Sequence, residues 1–137
     1  MARADARLAI RTRLTTLGPA LPLTLENEND DRPDPPSPWM YLEFLGEAPA
    51  VAGIVATGSH VNRLFGSFAV HVFAPRGTGL ADIETACDAI ADLFKTITVD
   101  GVFYNGVPRI DPVDLVSDDG VWFGRTVTVD FQHDWTG

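Results

Sequence analysis

The chain has little of what catalytic or covalently stabilised proteins commonly use. It contains a single cysteine, Cys87, so no disulfide can form within the chain. Positive charge is scarce. Ten lysine and arginine residues stand against 19 acidic ones, and the formal net charge of -9 argues against a surface built to bind the nucleic acid backbone. No apolar run near the N-terminus has the length of a signal peptide or a membrane span, so we expect synthesis in the cytoplasm.

Sequence patterns of catalytic and metal sites are also missing. His60, His71 and His133 lie far apart and share no ligand spacing, so we interpret His71 as a hydrogen-bonded structural residue. Residues 77–79, Gly-Thr-Gly, follow a predicted strand and precede a predicted helix, where free N–H groups can hold a phosphate. The chain has neither the GxGxxG nor the GxxxxGK(S/T) motif of nucleotide-binding proteins, and no lysine lies near this turn. We therefore predict a structural turn, and we expect no catalytic residue, no cofactor and no metal.

A strand followed by a helix is the clearest local pattern. Between Arg63 and Phe73, apolar residues alternate, which predicts a strand with one buried face. A helix is predicted over residues 80–95, because apolar residues recur there at helical spacing. Cys87 falls in that apolar stripe, which indicates a small buried side chain rather than a reactive thiol. The predicted buried residues are Leu64, Phe68, Val70 and Val72 of the strand, and Ile83, Ala86, Cys87, Ile90 and Phe94 of the helix.

The N-terminal quarter predicts a helix, a short strand and a loop. The helix covers residues 3–17 and ends at Gly18-Pro19. A strand is predicted at residues 21–27, and the acidic, proline-rich residues 28–38 predict a solvated loop rather than a calcium site. The arginines of the helix form either a solvated outer face or a docking patch. The predicted buried face of the helix consists of Ala6, Ile10, Leu14 and Leu17.

The segment at residues 47–62 is the most unusual part of the chain. A strand is predicted before it, over residues 39–45, and Trp39 is predicted to be buried in the core rather than to anchor an interface. Residues 47–62 are too rich in small side chains for a confident strand and too apolar for an ordinary exposed loop. We interpret them as a connection between strands. It either becomes ordered against a partner or forms a wide hairpin tip, and the sequence leaves both open.

The last third of the chain predicts strands joined by tight turns. Asp100-Gly101 is a hairpin-type dipeptide, and Asn105-Gly106 is a second one. Residues 108–116 predict a strand, and Pro112 within it indicates either an edge position or a bulge. Residues 121–132 predict a long strand with one apolar face toward the helices and one polar face. Arg125 interrupts the apolar face, and we place it at the rim.

Three stretches together resemble the tail terminator proteins of long-tailed bacteriophages and of related gene-transfer-agent particles. The first is the opening helix at residues 4–17 with the strand that follows it, and the third is the C-terminal strand at 122–132. The second is residues 63–79, in which Phe68–Gly79 is similar to the family's V-x-V-F-A-P-x-G-x-G pattern. The resemblance implies one α+β domain over residues 1–137. It implies a mostly antiparallel sheet of four to five strands packed by two helices, in the order α-β-β-β-α-β-β.

The resemblance also implies a structural role without catalysis or a cofactor. Such proteins form a ring, generally a hexamer, at the head-proximal end of the tail tube, where the ring stops tube growth and joins the tail to the head. The implied partners are the tail tube protein and a head–tail connector or stopper protein, and no membrane is involved. DNA would pass through the ring without specific binding. An acidic lumen would repel it. The implied location is the tail or neck of the particle.

Candidate interface residues come from the unusual segment and from the first helix. They are Val51, Ile54, Val55, His60, Arg63, Arg7 and Arg11. Two other functions stay open at this point. One is another neck or tail-tube component, such as a head–tail joining protein. The other is a small ligand-binding domain that uses the turn at residues 76–79.

Overall fold

The computed structural model describes residues 2–26, 37–56, 59–78, 80–111, 115–116 and 120–136. In these ranges two helices pack on one face of a seven-stranded sheet. The α+β class is confirmed, with more strands than the four or five expected. The helices are α1 (Ala2–Leu17) and α2 (Ala81–Leu93); the strands are β1 (Leu23–Leu25), β2 (Trp39–Ala56), β3 (Ser59–Pro75), β4 (Ile97–Val99), β5 (Val102–Ile110), β6 (Leu115–Val116) and β7 (Trp122–Thr136).

The sheet is mostly antiparallel. Its strand order is β1-β2-β3-β7-β5-β4, and β6 pairs with β7 beside this path. Among the described strands, only β1 and β2 pair in parallel. Strands β2 and β3 form one long hairpin, and β7 pairs with nearly the whole of β3, from Val61↔Thr136 to Pro75↔Trp122. These three long strands form the centre of the sheet.

One face of the sheet is buried against both helices. Phe68 lies at the centre of this core, with its ring 5.1 Å from that of Phe94, 6.0 Å from Phe131 and 6.4 Å from Tyr104. The predicted strand face and the predicted helix stripe are both confirmed, because all of their residues are buried. The alternation in the strand and the helical spacing in the helix were sufficient to predict the buried faces, because each element has a single apolar side.

Helix α1 buries one residue fewer than its pattern predicts. Ala6, Ile10 and Leu14 are fully buried, whereas Leu17 is 60% exposed, so its predicted place on the buried face is wrong. The N–H of Gly18 donates to the carbonyl of Leu14 at 3.0 Å, and the helix ends there. Leu17 belongs to this last turn, which no neighbouring described element covers.

The two glycine dipeptides near β5 have different roles. Asp100 and Gly101 have φ values of 52° and 77° and form the predicted hairpin turn between β4 and β5. Asn105-Gly106 forms no hairpin. Gly106 has a φ of 75°, and the β5–β7 register shifts between Asn105 and Arg109, which makes this a bulge inside one strand. Strand β5 then ends at Ile110, so the predicted strand over residues 108–116 is wrong in its bounds.

The outer face of the sheet, away from the helices, is not polar throughout. At one end Trp39 stacks on Phe73 at 4.7 Å and meets Trp122 edge-on at 5.9 Å. Trp39 is buried as predicted, but in this second cluster, and Trp122 contradicts the prediction of a polar face. Gly124 makes the packing possible, because a Cβ there would lie 2.6 Å from the carbonyl oxygen of Val72 and 2.7 Å from the Phe73 ring.

Candidate functional site

Residues 47–56 and 59–62 are strand, not a connection between strands, and residues 57–58 lie outside the described part of the structure. They form the outer parts of β2 and β3, paired from Glu47↔Gly66 to Ala56↔Ser59 apart from two register shifts. The β2–β3 ladder satisfies the backbone groups that the two strands turn toward each other, so small side chains suffice to maintain the pairing. Beside them, β7 pairs with β3 as far as Thr136. We call residues 47–56, 59–66 and 131–136 the arm.

The arm contains five of the seven predicted interface residues. Val51 pairs with Asn62 and Ile54 with His60, while Val55 lies beside Ile54, and Arg63 lies on β3. The side chains of Val51, Ile54 and Val55 lie outside the described part of the structure. The tertiary structure therefore brings these five positions onto one hairpin. Their role in an interface stays a prediction.

Arg7 binds the base of the arm. Its Nε donates to Glu47 Oε1 at 2.7 Å, and its guanidinium lies 4.4 Å from the centre of the Phe44 ring. The Glu47 side chain is only 6% exposed. A buried carboxylate without a cation is unfavourable, so Arg7 holds α1 against β2. The predicted role of Arg7 in an interface stays a prediction. Arg11, one turn further along α1, is exposed, and its predicted docking role stays a prediction.

Arg63 joins two strands of the arm. Its Nε and Nη2 donate to the two carboxylate oxygens of Asp134 at 2.8 and 3.0 Å. These hydrogen bonds raise the pKa of Arg63 and lower the pKa of Asp134. The pair lies at the surface, where such contacts orient side chains more than they stabilise a fold.

A shallow groove of about 580 Å3 lies on the outer face where the arm begins. Leu45 and Phe65, which are 53% and 47% exposed, lie on one side of it. Arg109 and Asp130 lie on the other, and Asp130 accepts a hydrogen bond from Ser67 at 2.8 Å. Exposed apolar side chains with a polar rim are typical of a protein-contact surface. Sequence reasoning missed it, because Leu45 occupies a bulge that no local pattern indicates.

His71 has a structural role, as predicted. Its Nδ1 is 2.7 Å from the hydroxyl of Thr126, and its Nε2 is 3.0 Å from Glu43 Oε1. The imidazole thereby links β2, β3 and β7 on the outer face.

In the described ranges no cluster of histidine, cysteine and acidic residues could hold a metal ion. The same ranges contain no helix with the length and hydropathy needed to cross a membrane.

The turn after β3 uses its own polar groups. Gly77 has a φ of 90°, a conformation that favours glycine. The hydroxyl of Thr78 donates to the carbonyl of Pro75 at 2.7 Å. Gly79 lies outside the described residues. These contacts support the interpretation of residues 77 and 78 as part of a turn.

Cys87 is buried in α2, and burial is the main cause that raises its pKa to about 11. The thiol is therefore protonated at neutral pH. We expect Cys87→Ser to lower the free energy of unfolding by about 1–2 kcal/mol, because a hydroxyl replaces the thiol in an apolar site, and to leave the biological activity of the chain intact. Urea unfolding and a complementation assay measure the two effects. Loss of complementation by a folded serine variant would show that the thiol has a chemical role.

Comparison with known proteins connects this fold to a family. The family model described as phage tail terminator protein matches residues 5–131, from α1 into β7. One solved structure superposes on 98% of this chain and 97% of its own, with a TM-score of 0.66 and 19% identity, a likeness that shows the fold alone. No curated protein matches the sequence. Because the family model covers nearly the whole chain, this protein belongs to the phage tail terminator family.

Proposed function

We propose that copies of this chain form a ring, a hexamer, at the head-proximal end of the tail tube. There the ring ends polymerisation of the tube and provides the surface to which the head is joined. The match to the tail terminator family over residues 5–131 carries this proposal. Members of that family are structural components of phage tails, and we likewise predicted from the sequence that this chain has no catalytic site.

The composition of the arm supports a role in assembly. Ala48, Pro49 and Ala50 are exposed, and no charged residue occurs from Ala48 to His60. The protein as a whole carries a formal net charge of -9, so a run of 13 residues without a charged side chain, from Ala48 to His60, is unusual in this sequence. Uncharged, exposed strands are typical of surfaces that become covered in a complex.

The expected partners lie on the two sides of the ring. The tail tube protein would contact one side and a head–tail connector or stopper protein the other. DNA would cross the lumen without specific binding, because acidic chains repel the phosphate backbone. Repulsion between chains of charge -9 also disfavours assembly of free subunits. The end of the finished tube therefore serves as the template.

Deletion of the gene tests this function. Particles made without the chain should have tails that do not join heads, and many tails should be longer than normal because polymerisation does not stop. Electron microscopy of the lysate measures both properties, and the wild-type gene supplied in trans should restore them. Tails of normal length on filled heads would show that the proposal is wrong. A complete absence of tails would also contradict it, since that result identifies a tube subunit.

A further inference from the structure

The two edges of the sheet are each covered along only part of their length. At one edge, β1 pairs with β2 from Met40 to Leu42, and in the described part of the chain no strand pairs with the outer side of β2 over residues 46–56. At the opposite edge, β4 pairs with β5 from Val102 to Tyr104. The rest of β5, to Ile110, has no strand on its outer side in the described ranges.

Where one edge strand is covered by a further strand, the opposite edge at the same height along the strands is not covered. Successive pairings connect Thr98 of β4 to Ala48 of β2, so β4 lies at the same height as the uncovered part of β2. The connection runs across the sheet through the paired residues Thr98, Phe103, Gln132, Phe65 and Ala48.

The same relation holds for β1 and β5. Leu42, which β1 covers, lies level with Ile110, which β4 does not cover. This connection runs through Leu42, Val70, Val127 and Ile110. Each edge therefore projects where the other edge is recessed.

The open parts of both edges carry exposed residues that are mostly uncharged, and Arg109 is the one charged residue between Asn105 and Ile110. On the β4–β5 edge, Ile97, Val107 and Ile110 are 37%, 68% and 39% exposed. On the open part of β2, residues 48–56 carry no charge. Soluble proteins commonly block exposed strand edges with charges or proline. Here Pro49 interrupts the hydrogen bonds that β2 can offer, so side-chain packing and short runs of strand pairing would form the contact together.

We propose that in the ring β4 of one copy lies beside the open part of β2 of the next copy. Strand β1 of that next copy then lies beside the open part of β5 of the first. This inference rests on the ring proposed above and adds which surfaces meet. A second copy is the occupant because the complementary edge is present on the same chain. Two different edges meet, so the contact is head-to-tail, which is the kind that closes into a ring.

The strand directions are compatible with this contact. Three antiparallel ladders separate β2 from β5, so these strands run in opposite directions. Rotation about an axis along the strands keeps the direction of each. Strand β5 then meets the neighbouring β1 antiparallel, and β4 meets the neighbouring β2 parallel, as β1 already does within one copy.

Disulfide cross-linking tests the contact. The Cys87→Ser chain has no cysteine, so Ala48→Cys and Thr98→Cys, both at exposed positions, can be added to it. Four strand spacings, roughly 19 Å, separate these positions within one copy, which excludes a disulfide inside the chain. Mild oxidation of particles carrying both cysteines should give a ladder of covalent oligomers up to the ring on a non-reducing gel.

The controls identify the geometry. Either cysteine alone should give monomers, because the two edges differ, and Leu17→Cys combined with Thr98→Cys should also give monomers. Dimers from a single cysteine would overturn the head-to-tail contact. Monomers from the double variant would overturn the proposed edge contact. If the gene deletion nevertheless gives overlong, unjoined tails, the ring stands and only its proposed contact is rejected.

A charge placed on the open edge provides a second test. Val107→Lys should abolish restoration of head joining in the deletion strain while the melting temperature changes little, because Val107 is 68% exposed. Leu17→Lys, at a position 60% exposed on α1, should restore joining as well as the wild type does. Normal joining with Val107→Lys would overturn the proposed contact.

Discussion

Replacing Phe68 with alanine should lower the free energy of unfolding by about 3–5 kcal/mol. The Phe68 side chain is fully buried, and its ring contacts those of Phe94, Tyr104 and Phe131. The alanine variant loses the transfer free energy of the ring and leaves a cavity between the sheet and α2, which surrounding side chains fill only in part. Because domains of this size are stable by only about 5–15 kcal/mol, this loss is a large fraction of the total. Urea unfolding followed by circular dichroism measures it.

Phe65→Ala is the matched control on the same strand. Phe65 lies on the opposite face of β3 and is 47% exposed, so its truncation should change the free energy of unfolding by no more than about 1 kcal/mol. Losses of equal size for the two variants would contradict the assignment of the faces of β3.

Shortening the arm should abolish head joining while the rest of the domain stays folded. In the shortened variant, Asn-Gly replaces residues 52–61 between Val51 and Asn62, which face each other in β2 and β3 and are suited to a two-residue turn. The fully packed core and the Arg7–Glu47 pair lie outside the deletion. Thermal melting should therefore shift by only a few degrees, whereas complementation of the gene deletion should fail.

A second variant separates arm length from turn chemistry. Asn-Gly in place of Thr57-Gly58 alone keeps the length of the hairpin and should restore head joining. A cooperative loss of folding in the shortened variant would show that the outer arm belongs to the core. Normal joining by the shortened variant would show that the outer arm contacts no partner.

Local patterns in the sequence determined both helices and the buried face of the central strand. The apolar stripe of α2 and the alternation from Leu64 to Val72 repeat within a few residues, so a short window contains the whole signal. The turn at Asp100-Gly101 was predictable for the same reason, because its φ values depend on these two residues. The sequence also indicated the family, and the family model matches residues 5–131.

The tertiary structure decided the features that depend on distant partners. Residues 47–56 and 59–62 form strands because they pair with each other and, on the β3 side, with β7; small, uncharged side chains contain no signal of that pairing. Arg7 is committed to Glu47, 40 positions away, so no local pattern distinguishes it from a free docking charge. Bulges after Phe44 and Asn105 likewise depend on the register with a neighbouring strand.

The candidate interface divides in the same way. The sequence alone indicated the unusual apolar segment and the candidate residues in it. Only the four ladders that connect β2, β3, β7, β5 and β4 in turn place Thr98 opposite Ala48, at the same height on the other edge of the sheet. Strand order decides which strands lie at the edges, and strand register decides which residues lie at the same height on the two edges. Both are set by pairing between residues far apart in the chain. Composition and periodicity describe one segment at a time, so they determined what each strand is made of, and tertiary pairing determined which surfaces are free to meet.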